Sequence, residues 1–114
     1  MRKIETLMVN AVKAGRDWHL GNTRVDVTDY GIAVRLHGHV IAELHTEDHI
    51  LWITDAGWQT TTTKSRLNAL LRGITPGRAC VYQKDYVWHL TRGLDATEAE
   101  TVEMDRNQAY AVAL

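Results

Sequence analysis

Ile50-Leu51-Trp52-Ile53-Thr54, then Asp55-Ala56-Gly57-Trp58-Gln59, then Thr60 through Ile74, is the stretch that decides the fold class. Its first five residues are almost continuously apolar, which predicts a strand buried on both faces at the centre of a sheet. Asp55-Ala56-Gly57 then supplies a turn. Beyond the threonines, Leu67, Leu70, Leu71 and Ile74 recur at helical spacing, Thr61 to Thr63 offer an N-cap oxygen, and Gly73 stands where a helix ends. This predicts a helix over about 62–72.

Working outward, Ile4, Leu7, Met8, Ala11 and Val12 form one helical stripe, with Gly15 to close it, so a first helix is expected from Arg2 to Ala14. From Thr23 the period becomes two: Thr23, Val25 and Val27 alternate with Arg24, Asp26 and Thr28, and Asp29-Tyr30-Gly31 turns the chain. Ile32 to His37 and Val40 to Leu44 continue this as a meander around His37-Gly38. Downstream of Pro76-Gly77, Cys80 to Tyr82 and Tyr86 to Leu90 read as a hairpin about Gln83-Lys84-Asp85, with Tyr86, Trp88 and Leu90 on one face. Residues 92–114 are open between a loosely packed tail and an edge strand.

The expected architecture is therefore α+β: one domain over residues 1–114, with a mainly antiparallel sheet of about five strands. The N-terminal helix accompanies it, and the second helix packs on it through Leu67, Leu70, Leu71 and Ile74. Edge strands in so small a sheet need covering, which makes a homodimer a candidate arrangement.

The chain has 114 residues, 45% of them hydrophobic and 24% charged, a composition that excludes collagen, long coiled coil and wholesale disorder. The net charge of −1 provides no global attraction to nucleic acid or to an anionic membrane, so any such binding needs a local patch. Cys80 is the sole cysteine, which rules out an intrachain disulfide. No signal-peptide pattern opens the chain, and no apolar run is long enough to span a bilayer. A soluble protein of a reducing cytoplasm, with no membrane partner and no cofactor, is the expectation.

Three features carry candidate chemistry. His37, His39, His45 and His49 are closely spaced, and imidazoles are zinc ligands; against a metal site, Gly38 makes His37-Gly38-His39 a turn and no cysteine completes a familiar ligand set. Thr61, Thr62, Thr63, Lys64, Ser65 and Arg66 stand at a helix start, where free N–H groups and cationic side chains can hold a phosphate of a nucleotide or nucleic acid. The competing reading is that one threonine caps the helix and that Lys64, Arg66 and Arg72 form a solvated face. Thirdly, among four tryptophans and four tyrosines, Trp58, Tyr82 and Tyr86, with Lys84, are candidates to face a partner, while Trp52 and Trp88 read as core. No nucleophile-with-base motif is present, so a non-catalytic protein is expected.

The segment Gly57-Trp58-Gln59-Thr60 through Leu71, preceded by Asn22-Thr23-Arg24-Val25, Leu36-His37-Gly38 and Ile41-Ala42, resembles small accessory proteins of tailed bacteriophages. The resemblance covers about residues 1–75 and fades in the last third. It implies synthesis in the cytoplasm of an infected bacterium and a role in binding and blocking a host or defence component, most readily a host protein. It transfers no catalytic residues. The exposed aromatics and the acidic tail of Asp95, Glu98, Glu100, Glu103 and Asp105 are the surfaces expected to serve such binding.

Overall fold

The computed structural model describes residues 2–94 and 97–114. In chain order the elements are α1 (Lys3–Ala14), β1 (Trp18–Leu20), β2 (Thr23–Val27), β3 (Gly31–Leu36), β4 (His39–His45), β5 (Ile50–Thr54), α2 (Thr61–Ile74), β6 (Ala79–Lys84), β7 (Val87–Arg92), β8 (Glu100–Glu103) and β9 (Ala109–Ala113). The fold is α+β, and its strands divide between two antiparallel sheets. One has the order β1-β2-β3-β4-β5-β9 and the other β6-β7-β8. Helix α1 packs on α2, β2 and β1, and α2 packs on β6 and β4, so α2 lies between the two sheets.

The core follows from the helical stripes. Met8 on α1 and Leu67, Leu70 and Leu71 on α2 are buried, as are Ile53 of the large sheet and Leu90 of the small one. Each such side chain contributes about 1.5–3 kcal/mol when taken from water. Between the helices the packing is close enough to need a glycine: a Cβ on Gly73 would lie 2.4 Å from Val9 Cγ1. Gly73 is therefore inside α2 and does not end it. The helix closes at Thr75, whose amide and hydroxyl both donate to the Leu71 carbonyl, at 3.0 and 2.9 Å. At the other end the cap is Thr60, whose Oγ1 accepts from the Thr63 amide at 3.1 Å, and not one of the three threonines that follow.

Strand β5 differs from its expected central place. It lies between β4 and β9, next to the sheet edge, and its burial alternates: Leu51 and Ile53 face the helices, whereas Ile50, Trp52 and Thr54 are half-buried. Trp52 faces away from the helices opposite Glu43 and Ala111, and its size makes a one-sided strand read as two-sided. The short edge strand β1 has too few residues for a period to show.

The C-terminal region is integrated into the fold. Strand β8 pairs with β7, β9 pairs with β5 with Leu51 opposite Val112, and Met104 and Val112 are buried. Two sheet edges are closed within the chain. Arg92 Nη1 and Arg78 Nη1 donate to the Ala111 and Ala113 carbonyls of β9, at 3.0 and 3.2 Å. On β6 the Asn68 amide imitates a neighbouring strand, donating to the Val81 carbonyl and accepting from its N–H, both at 2.8 Å.

The second hairpin also turns one step later than expected. Lys84 pairs with Val87, so Asp85 and Tyr86 form the loop, and Tyr86 does not share a strand face with Trp88 and Leu90.

Candidate functional site

Three separate sequence signals meet in one pocket of about 410 Å³. The β3–β4 turn supplies Leu36, His37 and His39, with Ile41 behind them; the loop after β5 supplies Asp55, Ala56 and Trp58; the start of α2 supplies Thr60, Thr62 and Thr63. Leu36 and Ile41 are buried and give the pocket an apolar floor. Its rim holds the exposed His37 and His39, the hydroxyls of Thr60 and Thr62, and Trp58, which is 58% exposed. The Trp58 indole and the His39 imidazole are tilted by 41° with centroids 6.1 Å apart, so two flat rings wall one side.

The loop bearing Trp58 is held by a buried carboxylate. Asp55 accepts from the Gly57 amide at 2.7 Å, from the Asn107 amide at 2.8 Å and from Gln59 Nε2 at 3.1 Å. Gln59 Nε2 also donates to the Met104 carbonyl at 2.9 Å, and the Trp58 amide to the Asp55 carbonyl at 2.9 Å. The pocket wall is thus tied to the segment between β8 and β9, more than forty residues along the chain. With these donors on it, Asp55 works as a brace, and the pocket presents apolar surface, hydroxyls and the imidazoles of His37 and His39. The sequence reading did not point to Asp55, Met104 or Asn107 as parts of one site. An isolated aspartate before Ala-Gly reads as a turn residue, and only the fold brings Asn107 to it.

The helix-start candidates separate in space. Thr61 is exposed and Lys64 half-buried, whereas Thr63 is buried and engaged with the Thr60 cap. Ser65 Oγ donates to Glu5 Oε2 at 2.6 Å. Arg66 is buried: its guanidinium meets Glu5 Oε2 at 2.8 Å, Thr23 Oγ1 at 3.1 Å and Asn22 Oδ1 at 3.4 Å. Arg66 therefore belongs neither to a solvated face nor to the pocket rim. Burial raises the Glu5 pKa, but the hydrogen bonds from Ser65, Arg66 and the Arg2 amide, with the Arg66 charge, outweigh it and leave the carboxyl below its ordinary value.

The four histidines are likewise dispersed. His37 and Gly38, both with positive φ of 51° and 81°, make the expected tight turn, with His39 opening β4 beside the pocket. His45 closes the same strand, about 20 Å away at strand rise, and stacks on Tyr30 at 4.5 Å. His49 lies in the next loop with φ 54°. Among the described residues no group of three or more His, Cys, Asp or Glu side chains is arranged to hold a metal ion.

Of the aromatic candidates, Trp58 and Tyr86 are exposed, while Tyr82 stacks on His89 at 5.3 Å and Trp88 is buried. Lys84 is exposed at the hairpin end. In the acidic tail Glu98, Glu100, Glu103 and Asp105 are exposed, Glu100 pairing with Arg92 at 2.9 Å; Asp95 lies outside the described residues. No helix among the described residues is long and apolar enough to cross a membrane.

An α+β protein with a braced, apolar, aromatic-walled pocket is what the fold and site define, and comparison with protein families makes it a bacteriophage protein. The chain belongs to the family described as Kyanoviridae Gp96 protein, whose model matches residues 1–111. The match extends through the C-terminal third, where the resemblance read from the sequence faded. No curated protein and no solved structure matches the chain.

Proposed function

We propose that this phage protein is a non-catalytic accessory protein that binds a host or defence-system protein in the cytoplasm of the infected cell and modulates or inhibits it. The pocket walled by Trp58 and His39 is its principal contact. The observation that carries this reading is Trp58 itself: a large aromatic, 58% exposed, on a loop braced by Asp55 beside a pocket of about 410 Å³ with an apolar floor. Tryptophans in such settings carry a disproportionate share of binding energy at protein interfaces. Prior bracing also lowers the ordering cost of association.

The alternative, a nucleotide or nucleic acid held at the start of α2, loses support because Arg66 and Ser65 are spent on Glu5. The histidine metal site loses support for want of a clustered ligand set among the described residues.

The test is capture from infected and uninfected host cells with the tagged protein and with Trp58→Ala, with and without nuclease, followed by a binding measurement with the purified partner. A protein partner bound at least about tenfold more weakly by Trp58→Ala supports the proposal. Nucleic acid as the stoichiometric species, or a partner bound equally by Trp58→Ala, would overturn it.

A further inference from the structure

The β6–β7 hairpin reverses through Asp85 and Tyr86, whose φ angles are 52° and 67°. Two successive positive values define the type I′ turn that suits the twist of a hairpin and that ordinarily carries Asn-Gly. A tyrosine in this region is uncommon, because its Cβ crowds the following carbonyl. Tyr86 is 93% exposed, and among the described residues no hydrogen bond or ring contact reaches its side chain.

The base of the hairpin is rigid all the same. Trp88 and Leu90 anchor β7 in the core, and the two Asn68 bonds to Val81 fasten β6 to α2. A strained and fully exposed aromatic is thus presented on a fixed support, the arrangement in which strain signals a contact made elsewhere. Lys84 and Val87, opposite each other in the last pair of the ladder, are both exposed beside it.

We infer that Tyr86 is a docking knob, a single aromatic side chain that enters an apolar pocket on a partner protein whose rim places a carboxylate against Lys84. A protein fits better than a nucleic-acid strand. A stacking platform needs several free rings and a run of cations. Here Tyr82 is already stacked on His89, Trp88 is buried, Asp85 adjoins Lys84, and the net charge is −1. The inference concerns a different surface from the Trp58 pocket and stands without it.

The experiment places the photo-crosslinking residue p-benzoylphenylalanine at position 86, with position 13 on the exposed face of α1 as control, in infected host cells. The cross-linked protein is then purified, and its Kd is measured against the parent protein, Tyr86→Gly and Tyr86→Phe. The expected result is one protein adduct specific to position 86, at least about tenfold weaker binding by Tyr86→Gly, and binding by Tyr86→Phe within about threefold of the parent. The free Tyr86→Gly protein should melt a few degrees higher, since glycine adopts the turn without strain. Four outcomes overturn the inference: no adduct specific to position 86, an adduct partner bound equally by Tyr86→Gly, a nuclease-sensitive adduct, or a lowered Tm for Tyr86→Gly, which would make the ring a support of its own fold.

Discussion

Arg66 Nη1 lies 2.8 Å from Glu5 Oε2, and the two side chains are only 4% and 1% exposed. The pair joins α2 to α1 across sixty-one positions of sequence, and the same guanidinium holds the start of β2 through Thr23. It thereby sets how α2 sits, and with it where the helix start meets the pocket.

Removing one member of this pair leaves the other charged, buried and unpaired. Arg66→Ala should cost about 3–5 kcal/mol, whereas Glu5→Leu with Arg66→Met should recover most of that loss, because an apolar pair of similar volume needs no compensation. Urea unfolding of the three proteins measures both values. Equal stability of Arg66→Ala and the parent would show that the ion pair does not hold the helices.

Acid should release the same contact. The Glu5 carboxyl titrates below its ordinary value of 4.5 in the folded chain, so its contribution is complete above that value and is lost as the pH falls through the lower folded pKa. Stability measured from pH 6 down to pH 2 should decline more steeply in the parent than in Glu5→Gln, which carries no titrating group at this site.

Tyr30 behaves in the opposite sense. Burial, then hydrogen bonding to and repulsion by the Glu43 carboxylate, raise its phenol above the ordinary value of 10.0. Its contribution to stability is therefore present below pH 10 and lost as the pH rises through the raised folded value. Ultraviolet titration of the folded protein should show a late-ionising tyrosine that disappears in Tyr30→Phe.

Gly73→Ala tests the close approach of the helices. In an isolated helix the change is favourable by about 1 kcal/mol, but the new methyl would meet Val9 Cγ1 at 2.4 Å. A net loss of about 1–3 kcal/mol is expected from overpacking. Adding Val9→Ala should restore part of it, which thermal unfolding of the single and double variants will show.

Much of the architecture is legible in the periodicity. Leu67, Leu70 and Leu71 announce α2, Ile4 through Val12 announce α1, and the alternation from Thr23 to Leu44 announces the meander, because each pattern repeats over enough residues to name its own geometry. The site was legible only in fragments. Trp58, His37 with His39, and the threonines are visible as three unrelated signals, and nothing in their spacing says that they share a pocket.

What the sequence by itself determined is what neighbouring residues impose on one another: the helices, most of the strands, the turn at His37-Gly38, and the α+β class. Only the tertiary structure decided the division into two sheets, the place of β9 beside β5, the inward turn of Arg66 onto Glu5 and the tie from Asp55 to Asn107. The physical reason is distance along the chain. Local periodicity reports which face of an element is apolar, but the buried carboxylates of Glu5 and Asp55 meet Arg66 and Asn107 only once folding has closed loops of fifty or more residues.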